Sequence, residues 1–239
     1  MLDFKSNKFL ASVFTPELTI PSSLKFANLV VSIIGKYVGE EPSILPIPQN
    51  APPEVPRILF GSTDNKWGLN ISLQRTNLLY TVDPASTKER ISEEDFSSVA
   101  SMFFGEYQKK LSLRVQRFGF VTERSWIGNN ALNYILERFC SKSQISENRP
   151  FYNAKRFEIH SLKKYPWEGF NINSWVRIKF LPIKTGDDET APAILVTNDL
   201  NTLSLNEAQD ENFSDGQIVK YFNEIPLELK NILRLYFEK

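Results

Sequence analysis

The chain is 239 residues long, enough for one large domain or two small packed ones with a sizeable core. Apolar residues make up 41% and charged residues 23%, which places it among ordinary globular proteins and outside the disordered and fibrous classes. Lys+Arg and Asp+Glu both number 28, so there is no global basic field, and any polyanion must be held by a local patch.

The opening Met1-Leu2-Asp3-Phe4-Lys5 lacks the basic-then-apolar order of a signal peptide. No apolar run approaches the roughly 20 residues that span a bilayer, and Phe26 to Ile34 reads as a core helix. Cys140 is the single cysteine, which excludes an internal disulfide and fits a reducing compartment. The expectation is a cytoplasmic protein with no membrane association.

Lys8 to Thr15 reads as a strand, with Pro16 and Pro21 around the following turn. Ser22 or Ser23 can cap a helix whose inward face holds Leu24, Ala27, Val30, Val31, Ile34 and Val38. Six prolines between Pro42 and Pro56 remove backbone donors, so residues 40–56 should form an extended surface connector. Strands follow at Arg57–Phe60, Trp67–Leu73 and Asn77–Val82. Ser92 with Asp95 resembles a capping box before a helix carrying Phe96, Val99, Ala100, Phe103 and Tyr107.

From Leu111 the order recurs. A strand to about Thr122 and a helix with Leu132, Ile135, Leu136 and Phe139 inward come first. After a polar loop, Ala154–Leu162 and Ile172–Ile183 read as strands joined by the turn Tyr165-Pro166-Trp167-Glu168-Gly169. Ala193–Leu200 is the last strand. Ser214 and Gln217 cap a terminal helix, which Pro226 should kink or split. Strand, helix, three strands, helix thus appears twice, with similar openings at Lys8–Thr15 and Arg117–Thr122. The predicted fold is α+β: a duplicated unit, residues 1–110 and 111–239, forming one pseudo-two-fold domain. Its curved antiparallel sheet would carry four main helices on one face.

Catalytic constellations are sparse. His160 alternates with Phe157 and Ile159, so it should lie on the polar face with Arg156 and Glu158, without a nucleophile or metal partner in view. Cys140, at a helix end, reads as a small hydrophobe. One Cys and one His leave zinc without a ligand set. Asp187-Asp188-Glu189 lacks calcium-loop spacing, and Glu93-Glu94-Asp95 suits a helix dipole. No glycine pattern cradles a nucleotide phosphate. Two carboxylates converging in a pocket would make a hydrolase, which sequence cannot assemble. No catalytic, cofactor or metal residue is assigned.

One strand carries a mild signal. Its Trp175, Arg177 and Lys179 share a face, with Arg156 and His160 on the same face of the strand before it. A Trp between cations on an open sheet can stack a base while the cations hold phosphates. Alternation also places Arg117 with Leu113, Val115 and Val121, an inward arginine that implies a buried acid, a ligand anion or edge protection.

Three segments carry a resemblance: Pro56 to Asp64 leading to Leu69-Asn70-Ile71, Arg117 to Arg124, and Ala193 to Asp199 before a final helix. With these the chain resembles a sporadically distributed, functionally uncharacterised group of prokaryotic proteins of about this length. It departs from that group in its long proline connector and in lacking a His near the last helix. The resemblance implies no catalytic residues, and it implies an accessory or defence-linked role. In outline the duplicated unit is also similar to the saddle of TATA-box-binding proteins, without that saddle's basic underside. The expected function is a non-enzymatic subunit docking a protein partner through its sheet face or edge, with no cofactor. The alternative is a nucleic-acid-binding component using Trp175, Arg177, Lys179, Arg156 and His160.

Overall fold

A computed structural model describes residues 2–16, 23–39, 41–48, 50–84, 86, 89–184, 189–203, 207 and 211–238. Met1, Pro21, Ser22, Asp187 and Asp188, named above, lie outside the described residues.

The first half contains β1 (Lys5–Phe14), α1 (Ser23–Val38), β2 (Ser43–Ile44), β3 (Ile58–Gly61), β4 (Trp67–Ile71), β5 (Arg75–Thr81) and α2 (Glu93–Leu111). The second contains β6 (Arg117–Ile127), α3 (Ala131–Phe139), α4 (Lys142–Ile145), β7 (Glu158–Trp167), β8 (Phe170–Lys184), β9 (Thr190–Thr202) and α5 (Asp215–Phe237). All described strands join one open antiparallel sheet in the order β2-β3-β4-β5-β1-β6-β9-β8-β7. The architecture is mixed α/β, as the alternation of two- and 3.6-residue periods predicts.

One face of the sheet is covered by helices. Phe9, Ala11 and Val13 of β1 lie opposite Thr122, Phe120 and Phe118 of β6, and all are buried. Phe120 meets Phe96 of α2 edge-on at 5.5 Å and Phe222 of α5 at 6.3 Å. Tyr134 of α3 stacks on Phe237 of α5 at 6.4 Å. Burying these rings is the main force holding the layers together.

Local signals place the helix ends. Ser92 Oγ accepts from the Asp95 N–H at 3.0 Å, and Ser214 with Gln217 forms a capping box. The β7–β8 hairpin is tighter than its sequence suggests: pairing runs to Trp167↔Phe170, leaving a two-residue turn. Glu168 and Gly169 both have positive φ, 50° and 87°, as a type I′ turn requires.

Several expectations change. α5 is one continuous helix with Pro226 inside it, because Phe222, Ile225, Leu229 and Ile232 are buried on either side of the proline. α2 extends to Leu111, and β6 begins only at Arg117. Leu24 is 66% exposed rather than inward. Part of the proline connector forms β2, paired with β3. β7 starts at Glu158, so Arg156 precedes the strand.

The open face of the sheet as a candidate binding site

Residues paired across antiparallel strands project to the same side, so the register gives the second face of the sheet row by row. The first row is Arg75 of β5, Phe14 of β1 and Arg117 of β6. The second runs Asn70, Asn77, Ser12, Gly119, Asn201, Asn173 and Lys164 across seven strands. The third holds Leu79, Leu10, Val121, Asp199, Trp175 and Leu162. The fourth holds Thr81, Lys8, Glu123, Thr197, Arg177 and His160.

In the first row both guanidiniums lie against the Phe14 ring, Arg117 at 4.9 Å and Arg75 at 5.8 Å from its centre. Burial, and then the nearby Arg75 charge, disfavour the Arg117 cation, while Asp199 and Glu207 favour it. The two like charges repel each other across one ring, and the carboxylates of Asp199 and Glu207 offset that repulsion. Arg117 therefore belongs to the open face. The phase set by Leu113 and Val115 does not carry through, since Phe118 and Phe120 are the buried residues of β6.

In the second row Gly119 makes room for its neighbour. A Cβ there would lie 2.2 Å from Asn201 Oδ1, so the carboxamide of Asn201 crosses β6 where only glycine fits. Asn201 Nδ2 donates to Asp199 Oδ1. Ser12 Oγ donates to Asn77 Oδ1 at 2.7 Å. Asn173 is buried, and its Oδ1 has no partner among the described residues. Asp199 is half-buried beside Trp175, and burial raises its pKa against the opposing pull of Asn201, Arg117 and Arg177.

Trp175, Arg177, Lys179 and His160 all stand on this face, with Arg177 Cζ 5.8 Å from the Trp175 ring centre. His160 is exposed and pairs with Glu158 at 2.7 Å. Arg156 is exposed but lies before β7. Sequence reasoning missed Arg75, Phe14, Asn201 and Asp199, which meet only through the β5-β1-β6-β9 register. The residue types gave one hint: strands β1 and β5 put Phe14 and Arg75 at their ends, where aromatic and cationic side chains stand free of the core.

Elsewhere, Glu93 does more than complement the α2 dipole. It is buried and ion-paired with Arg124 on the helix-covered face. Burial raises the pKa of the Cys140 thiol, against nucleophilic use at neutral pH. Among the described residues no three His, Cys, Asp or Glu side chains gather as a metal-binding group. No described helix is long and apolar enough to cross a membrane.

No family model matches the chain, and no curated protein matches it. Among solved structures it is similar to a rolling circle replication initiator protein from Geobacillus stearothermophilus. That likeness has 6% identity and a TM-score of 0.35, and it covers 99% of this chain and 85% of the other.

Proposed function

We propose that the open sheet face binds single-stranded nucleic acid, as a non-enzymatic component. The observation that carries this reading is the Arg75–Phe14–Arg117 row, with two guanidiniums over one ring on the face opposite the described helices. Trp175 and Arg177 repeat the pairing of aromatic and cation further along. Side chains of this kind stack unpaired bases and hold the intervening phosphates, largely without regard to sequence. The carboxamide row between them offers donors and acceptors to base edges. The charge is local, as a chain with 28 cations and 28 anions requires.

The test is fluorescence anisotropy with labelled single-stranded oligonucleotides, at about 50 and 200 mM salt. Wild-type protein should bind more weakly at the higher salt, and Arg75→Glu with Arg117→Glu should abolish binding while the circular dichroism spectrum stays native. Binding that survives both changes would sink the reading.

A protein partner at the sheet edge is the second reading. Strand β7 ends the sheet and so leaves one side open for an added strand. Leu162, 43% exposed, stands on the open face beside that edge. Lys163, Lys164 and Pro166 make the edge unfavourable for indiscriminate pairing. A stoichiometric protein captured by wild type and lost from Leu162→Glu would support this; capture unaffected by that change would count against it.

We also propose an internal duplication, with units 1–110 and 111–239 in one pseudo-two-fold body. β1 and β6 are neighbours at the middle of the sheet, flanked by β5 and β9 and then by β4 and β8. Splitting the chain between residues 110 and 111 should yield halves that assemble one to one; halves that stay apart would argue against it.

A further inference from the structure

We propose that Asp199 and Trp175 form a base-reading subsite for guanine within that single strand; the proposal rests on the nucleic-acid reading above. The two residues are directly paired across β9 and β8. A base stacked at Trp175 would bring its edge over Asp199.

An acid at this place needs an account. It sits on a face whose Arg75, Arg117, Arg177 and Lys179 would hold phosphates, and a carboxylate repels phosphate. Among the described residues it makes no ion pair, its hydrogen-bond partner is Asn201, which donates to Oδ1, and no hydrogen bond reaches Oδ2.

An ionised carboxylate only accepts hydrogen bonds. It therefore selects a base by its donors. The Watson–Crick edge of guanine presents two adjacent donors, N1–H and N2–H, in a spacing that two carboxylate oxygens can match. Adenine and cytosine each present one amino donor next to an acceptor, which would face a carboxylate oxygen. Unstacked bases are read on this edge in single strands. Asn201 fixes the carboxylate from the side, and it can do so because Gly119 leaves room for it.

The experiment uses the full chain and labelled oligothymidylates of about twelve residues, within the site sizes of single-strand binders. Each carries one central guanine, inosine, adenine or cytosine. Inosine keeps N1–H and lacks the N2 amino group. Wild type should favour the guanine strand by about tenfold or more over the other three, the discrimination typical of a bidentate base contact. Asp199→Asn should abolish the preference for guanine, because its amide places a donor against a guanine donor and suits the donor–acceptor edges of adenine and cytosine instead. Competition with GMP and AMP separates the sources: displacement by GMP alone assigns the subsite to free nucleotides too, and displacement by strands only confines it to polymers.

Two results would overturn the proposal and leave single-strand binding standing. One is equal affinity of wild type for all four strands. The other is an Asp199→Asn variant that binds every strand more tightly by one factor, which would make the acid a counter-charge for Arg117 and Arg177. Failure of wild type to bind any strand would overturn this subsite together with the nucleic-acid reading.

Discussion

Arg124 of β6 and Glu93 of α2 form an ion pair buried between the sheet and the helices, with Arg124 Nη1 also donating to Asn198 Oδ1 at 2.6 Å. Burial disfavours both charges, raising Glu93 and lowering Arg124. Each charge is tolerated only because the other is there. Arg124→Met should therefore destabilise the protein by about 3–5 kcal/mol. Adding Glu93→Leu should recover most of that loss, since the pair removed together leaves no orphan charge. Urea denaturation of both variants checks this; a double variant as unstable as the single would contradict it.

Gly119→Ala places a methyl group where Asn201 Oδ1 now lies. The carboxamide must rotate away and give up its bond to Asp199. A loss of about 1–3 kcal/mol is expected, in the range of small-to-large strain. In an Asn201→Ala background the same change should cost much less. The coupling in that double-mutant cycle is the measurement, and additive effects would show that the two side chains do not compete.

Asp199 gives a pH dependence with a definite sign. Burial raises its folded pKa above the ordinary value of 3.8. As pH rises through that value, the unfolded chain loses its proton first, so the native state binds more protons. Stability contributed by this group is thus full at low pH and falls as pH climbs through the folded pKa. Asp199→Asn should raise the melting temperature at pH 7 and leave it unchanged near pH 3. An equal shift at both values would exclude ionisation as the cause.

Ser92 holds the first turn of α2, accepting from the Asp95 N–H and donating to the Asp95 carboxylate at 2.7 Å. Ser92→Ala should cost about 1 kcal/mol. Ser92→Thr should keep most of the stability, because its hydroxyl both accepts from the same N–H and donates to the Asp95 carboxylate. Thermal denaturation of the two variants distinguishes cap loss from a packing effect.

Much of this architecture could be read from residue order. The alternation Trp175, Arg177, Lys179 on one side and Val176, Ile178 on the other gave the facing of these side chains, since strand period is fixed by the backbone. Caps at Ser92 and Ser214 were visible because their hydrogen bonds reach only three residues. Arg117 was assigned to the wrong face for a local reason. Ser112 takes a left-handed conformation, φ 50°, and Val115 makes an isolated bridge to Phe213 before β6 begins. Periodicity cannot be counted across such a join. Arg75, Phe14 and Asp199 escaped notice for a different reason: pairing register joins them, and no local pattern encodes it. Glu93 looked like a solvated first-turn acid until packing of α2 buried it against Arg124.

The strand order also constrains how the chain can fold. The hairpins β3–β4–β5 and β7–β8–β9 join neighbours in sequence and can close early. The seam between them cannot, because Leu10 of β1 must find Leu79 and then Val121. Contacts of such long range are slow to form. The middle of the sheet, where Phe14 brings Arg75 and Arg117 together, should therefore be its last part to assemble. An intermediate with both hairpins formed and β1 unpaired would lack the first row altogether, so oligonucleotide binding should appear only in the slowest refolding phase.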